Sequence, residues 1–334
     1  MPLRLIEMVL REKDGGDIHD LLKEHDVLEH RQVRLPDGEL LLRILLQAEK
    51  SEAVLDLLEK QYASQEGYRI VILPVEATLP QVEVAEDAAP TGPLSEETPP
   101  GRISRQELYE DISDAARLSR VYFVMVVLST IVATIGLDHN SAAILIGAMV
   151  IAPLLGPNIA LALATTLGDL PLARRSVLTG LTGIATVTVM TALIGALLNV
   201  DPTASEFASR TQVGLSDLAL ALAAGCAGVL AFTTGVSATL VGVMVAVALL
   251  PPMVTFGLLL GGGHLTLAMG ALSLLVANLI CLNLAGVMTF MVQGIHPATW
   301  WEKERAATAK RIALGLWVSL LAVLIGLILL FRER

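Results

Sequence analysis

The chain has 334 residues, of which 54% are hydrophobic and only 17% charged, with a formal net charge of −10. That balance excludes a disordered chain, which needs high charge and little apolar surface. It equally excludes a nucleic-acid partner, which needs a basic face for phosphates. The charge is also divided: residues 1–116 carry 25 acidic and 12 basic side chains, and residues 117–334 carry 8 and 11. Positions 218–301, 84 residues, contain no Asp, Glu, Lys or Arg. Such a stretch belongs in a lipid bilayer, not in a water-soluble core.

In chain order, residues 3–10 read as a strand, and residues 14–25 open on turn formers and put Ile18, Leu21 and Leu22 on one helical face. Residues 27–35 and 39–47 flank Pro36-Asp37-Gly38, a hairpin signature. Residues 51–62 are amphipathic through Val54, Leu55 and Leu58, with Ser51 as N-cap, and residues 68–75 close as a strand. The order βαββαβ predicts a small α+β ferredoxin-like domain over 1–75, a sensing or assembly module by fold analogy. The amino terminus lacks a signal-peptide apolar core, so the domain is expected in the cytosol. His19, His25 and His30 share no helical face and predict no metal site. Residues 76–103, rich in Pro and acidic residues, read as a tether. Residues 104–118 read as an amphipathic juxtamembrane helix with Leu108, Ile112, Ala115 and Leu118 on one side.

Residues 119–334 predict an α-helical polytopic membrane domain. Seven apolar segments, 119–137, 140–164, 176–198, 215–233, 236–260, 265–291 and 312–331, each match the length of a span. Only Thr233, Thr234 and Gly235 separate the fourth from the fifth, so a re-entrant hairpin is the alternative there. Arg117, Arg120, Arg174, Arg175, Lys303, Arg305, Lys310 and Arg311 fall on one side of a seven-span arrangement, against Arg210, Arg332 and Arg334 on the other. The positive-inside rule then puts the N-terminus in the cytoplasm and the C-terminus outside. Cys226 and Cys281 sit in apolar segments and read as small buried hydrophobes. Ala221-xxx-Gly225 and Ala224-xxx-Gly228 permit close helix packing, within one chain or in a homo-oligomer.

The most informative pattern is a self-match at an offset of 95 residues, ILIGAMVIAPLLGP over 144–157 against TLVGVMVAVALLPP over 239–252. It pairs the second span with the fifth. Three spans per unit is an odd number, so the second unit must enter the membrane inverted, the arrangement of many secondary transporters. In a helix Pro153 would leave the carbonyl of Met149 without a donor, and Pro251 and Pro252 would do the same to Val247 and Ala248. Two Pro-broken helices are therefore expected, with freed carbonyls lining a site for a small-molecule solute or ion.

The candidate binding residues are Pro153, Gly156, Pro157, Pro251 and Pro252 at the breaks, with Asn158 beside the first and favoured as a ligand contact. Asn140, Ser141, Ser237 and Thr239 open the repeated spans, and Thr165, Thr166 and Thr255 follow the breaks. Asn278 and Asn283 lie in the sixth span, where interhelical bonding and ligand contact weigh equally. Asp138, Asp169 and Asp217 lie near span ends, which argues against a proton relay and against a buried counter-charge for a cation. An uncharged polar solute, an anion at helix N-termini or a carbonyl-coordinated ion remains. No HExxH, Walker A, dinucleotide fingerprint or nucleophile elbow is present, so neither enzyme activity nor a cofactor is expected.

The front domain followed by IGAMVIAPLLGP and TLVGVMVAVALLPP resembles the prokaryotic "uncharacterised hydrophobic domain" family, domain of unknown function 389, over residues 115–291. The resemblance implies a multi-span protein of the prokaryotic inner membrane and supplies no substrate. The leading expectation is a transporter or channel for a small polar or anionic solute. The alternative is a membrane-anchored sensor or scaffold working through its cytosolic domain.

Overall fold

Alternating side chains build the sheet of the first of two units, Met1–Tyr109 and Glu110–Arg334, in the computed structural model. The structure describes residues 3–11, 18–22, 25, 27–62, 68–75, 103–197, 201–234, 238–295, 315, 319, 322 and 326, without the side chains of 19–20, 238–241 and 244.

In the first unit, β1 (Leu3–Arg11), α1 (Ile18–Leu22), β2 (Glu29–Arg34), β3 (Glu39–Gln47), α2 (Ser51–Tyr62) and β4 (Arg69–Val75) follow in order. The sheet order is β2-β3-β1-β4, every pair antiparallel. Ile6, Met8 and Leu10 of β1 and Leu42, Ile44 and Leu46 of β3 share a core with Ile18 and Leu22 of α1 and Val54, Leu55 and Leu58 of α2. Gly38 supplies the left-handed residue of the hairpin, φ 76°, while the Leu35 N–H donates to the Glu39 carbonyl at 2.7 Å. Ser51 does not cap α2. A 3-10 turn over Ala48–Lys50 precedes it, and the Ser51 hydroxyl donates to the Ala48 carbonyl.

The opposite sheet face pairs Leu5 with Leu45 and Leu73, and Glu7 with Arg43, whose Nε donates to Glu7 at 2.7 Å. Val33, Val71 and Leu73 remain 44%, 40% and 39% exposed.

α3 (Arg105–Ala115) opens on Ser104, whose Oγ accepts from the Glu107 N–H. Glu107 in turn accepts two bonds of 2.9 Å from Arg4, a bidentate pair. The buried face of this segment is Leu108, Ile112 and Ala116, whereas the sequence pattern put Ala115 and Leu118 there. The helix ends at Ala115, so the period is lost and Leu118 lies 51% exposed.

The second unit is helical: α4 (Arg120–Asp138), α5 (Ala142–Ile151), α6 (Leu155–Leu167), α7 (Leu170–Leu197), α8 (Ser205–Ala208), α9 (Leu215–Thr234), α10 (Ala238–Gly261) and α11 (Leu265–Val292). Among the described residues α4, α7, α9 and α11 are each long and apolar enough to cross a membrane, and the bent pair α5–α6 makes a fifth. Val121, Val124 and Leu128 of α4 and Leu181, Val189 and Leu193 of α7 point outward, an apolar surface that suits lipid and not water. The expected seventh segment lies outside the described residues except at Gly315, Ser319, Ala322 and Gly326, which are helical.

Interior contacts are made through small residues. α7 and α10 approach so closely that a Cβ on Gly261 would overlap the Ala192 carbonyl, and one on Gly195 the Leu258 carbonyl. The small residues of α9 are used inside the chain: Gly225 faces Leu282 and Ala285 of α11, and Gly228 faces Leu155, Ile159 and Val245.

Candidate functional site

The first repeated span is broken where its proline predicts. α5 closes with the Ala152 N–H on the Ala148 carbonyl at 3.2 Å, and Ala152 is extended, φ −67° and ψ 120°. A residue before proline is forced out of the helical region, and Pro153 has no hydrogen for Met149. The chain restarts as α6, bent 55° from α5. Pro157 lies in the first turn of α6, where its missing N–H is an orphan in any case. It helps to start a helix and does not break one. Gly156 is there for packing, since a Cβ would overlap the Ala115 carbonyl.

The second repeated span differs. α10 runs on as one helix with Pro251 and Pro252 inside it, so the expected second break does not form. At the 95-residue offset Pro153 corresponds to Ala248, so the breaking residue itself is missing from the second copy. Pro252 still removes the donor that Ala248's carbonyl would use, and Asn278 replaces it: its Nδ2 donates to the Ala248 carbonyl at 2.6 Å. Asn278 is 3% exposed and stands midway along the 28 residues of α11.

Asn158 of α6 makes a second amide contact with α11. Its Nδ2 donates to the Leu154 carbonyl at 2.8 Å, and its Oδ1 accepts from Asn283 Nδ2 at 3.4 Å. Asn283 Nδ2 also donates to the Leu279 carbonyl at 2.9 Å, and the residue is 2% exposed. Asn158 and Asn283 thus meet between α6 and α11, while Asn278, about 140° away around α11, meets α10. The Oδ1 atoms of Asn278 and Asn283 and the Oγ1 of the fully buried Thr255 have no partner.

The other candidates fall elsewhere. Thr166 donates to the Ala162 carbonyl at 2.9 Å, within its own helix, and Thr165 is partly exposed. Ser141 precedes α5 without a side-chain cap bond. Ser237 and the Thr239 side chain lie outside the described residues. Asn140, exposed and left-handed at φ 49°, is a cap supplied from a distance: its Oδ1 accepts from Ser205 Oγ and from the Glu206 N–H, both at 3.0 Å. In the same loop, bonds from Thr203 hold the Asp201 carboxyl below the usual range. Asn140→Ala should loosen residues 201–211 by about 1–2 kcal/mol, because it loses a cap and strains a left-handed position. Asn140→Asp keeps the acceptor and should cost less. Amide hydrogen exchange of that loop measures both.

One contact was invisible in the sequence. Tyr122 donates to the Thr179 carbonyl at 3.1 Å, above Gly183, and Thr179 Oγ1 donates to the Ala116 carbonyl at 2.9 Å. This locks the start of α4 to α7, but the partners are 57 and 63 residues apart, and no local period links them.

A family described as "Domain of unknown function (DUF389)" matches residues 149–284, which include the α5–α6 break, Asn278 and Asn283. The chain is similar to the uncharacterized protein MJ0678 of Methanocaldococcus jannaschii, with 38% identity over 288 residues, 86% of this chain and 87% of the relative. No solved structure matches.

Proposed function

The chain belongs to the DUF389 family, and from that premise we propose a transporter or channel for a small polar solute or an ion. Its path follows the α5–α6 break and the asparagine contacts that α11 makes with α6 and with α10. The observation carrying this proposal is the half-buried Asn158 just after the break, met by the buried Asn283 of α11, with the buried Asn278 against α10 and two amide oxygens unpartnered. Helices that served only as anchors would be built more cheaply from apolar residues, since each unpartnered polar atom in hydrocarbon costs stability.

The proposal extends to a seven-span protein of the prokaryotic inner membrane with a cytoplasmic N-terminus. Its two inverted units share the motif offset by 95 residues, and the polypeptide catalyses no chemistry of its own. The front unit, with strand order β2-β3-β1-β4, is taken as a ferredoxin-like module. A homo-oligomer fits the family of such architectures, though its contact surface must lie outside the small residues of α9, which are already used.

The test is solute flux by the full-length chain in proteoliposomes. Pro153→Ala, which allows α5 and α6 to rejoin, is expected to remove most of the flux while the protein stays folded. Unchanged flux would make the break a packing feature.

A second function is favoured by the open sheet face, with Val33, Val71 and Leu73 exposed. Such a face suits a protein partner of a membrane-anchored sensor or scaffold. Absence of flux for every solute, together with ligand or partner binding by the front unit, would decide for it.

A further inference from the structure

One face of the front unit's sheet carries the core, and the other stays partly exposed. Register fixes which side chains share the open face, because residues paired directly across strands point the same way. Its middle row is Arg31 of β2, Arg43 of β3, Glu7 of β1 and Val71 of β4. To one side lie Leu45, Leu5 and Leu73, with Glu29 on β2. To the other lie Leu41 and Val9, with Val33 on β2 and Arg69 on β4. A sheet face turned to water carries polar side chains, whereas this one is mostly Leu and Val.

The charges on this face fit a second copy of the same face. Arg43 and Glu7 sit side by side at its centre, on the two inner strands. A twofold axis running along the strands between β3 and β1 lays β3 of one copy over β1 of the other. Arg43 of each copy then faces Glu7 of the other, while Leu45 and Leu41 lie over Leu5 and Val9. An axis across the strands would stack Glu7 on Glu7 and Arg43 on Arg43, which like-charge repulsion disfavours. Area agrees with this. At about 4.8 Å between strands and about 3.4 Å per residue, the four strands present about 500 Å² per copy. Two copies together reach about 1,000 Å², the threshold of a specific interface. Copies held in one bilayer also meet at a raised effective concentration. A bilayer surface fits the face less well, since residues 1–116 carry 25 acidic and 12 basic side chains and anionic lipid repels them.

We infer that the front units of two copies of this chain pair face to face through β1 and β3, with Arg43 of each against Glu7 of the other. This rests on the homo-oligomer reading, gives it a surface, and does not depend on transport. The experiment is cross-linking of the full-length chain in dilute proteoliposomes with a short bifunctional maleimide. Leu45→Cys marks the centre of the open face, and Glu59→Cys marks the exposed side of α2, on the opposite layer. The unsubstituted chain, with Cys226 and Cys281 in its membrane helices, gives the background.

Sheets paired in this way stand about 10 Å apart, so Leu45→Cys should cross-link to its own copy and Glu59→Cys should not. Adding Arg43→Glu should lower the cross-linked fraction about tenfold or more, and Arg43→Glu with Glu7→Arg should restore it. Arg43 and Glu7 are solvent-exposed to 50% and 24%, so the charge changes leave the fold intact. No cross-link above background at residue 45, equal cross-linking at residue 59, or no response to Arg43→Glu overturns the pairing. So does a loss that the double exchange does not restore. A Cys at residue 45 that is shielded from maleimide without cross-linking assigns the face to another occupant, such as residues 76–103 or lipid, and overturns it too. An oligomer seen by light scattering without the residue-45 cross-link keeps the homo-oligomer and overturns this surface, whereas a monomer overturns both.

Discussion

Asn278→Leu is expected to destabilise the membrane unit by about 1–3 kcal/mol, the cost of leaving a buried carbonyl without a donor. An ordinary interhelical hydrogen bond in a membrane bundle is worth only about 0.6 kcal/mol. The larger figure applies because Pro252 has already removed Ala248's own helix donor, so the Asn278 amide is the remaining one. The same substitution in a Pro252→Ala background should have a different outcome. There residue 252 can donate to Ala248 itself, and the leucine removes only the unpartnered Asn278 Oδ1. Asn278→Leu should then be nearly neutral or stabilising, with a coupling of about 1 kcal/mol or more between the two sites. Unfolding in detergent for the four proteins of this cycle measures it. Additive effects would mean that Asn278 does not stand in for the missing proline hydrogen.

Gly261→Ala should cost about 3 kcal/mol, while Gly147→Ala should gain about 0.5–1 kcal/mol, although both place one methyl on a membrane helix. At Gly261 the new Cβ would overlap the Ala192 backbone carbonyl, which cannot rotate away as a side chain can, so α7 and α10 must separate. At Gly147 nothing lies within 4 Å, and only the helix-propensity gain remains. Flux should fall in Gly261→Ala, because α10 carries the Ala248 carbonyl that Asn278 holds. Thermal unfolding compares the two variants directly, and equal effects would refute the close approach of α7 and α10.

Composition and local period determined much of this protein without a structure. Residues 40–46 are a short apolar run bounded by the Pro36-Asp37-Gly38 turn, and Val54, Leu55 and Leu58 repeat at helical spacing, so the strands and helices of the first unit were legible. The uncharged run over 218–301 required lipid. Pro153 required a break, because the rule on its preceding residue acts within two positions of the chain.

Tertiary contact decided the rest. Two prolines at matching places in a repeated motif look alike in sequence, yet one span breaks and the other continues. The difference lies in the residue four places earlier in the second copy and in an amide 30 residues away that supplies the lost hydrogen. Asn158 read as a free ligand contact, but its amide is engaged at both ends, with Leu154 and with Asn283, 125 residues distant. Asn140 read as a pathway residue and is a cap for α8, because the chain returns to it 65 residues later. A sequence shows which polar groups enter the membrane. Only the packed bundle shows which of them find partners, since hydrogen bonding in hydrocarbon depends on which helix lies alongside and not on distance along the chain.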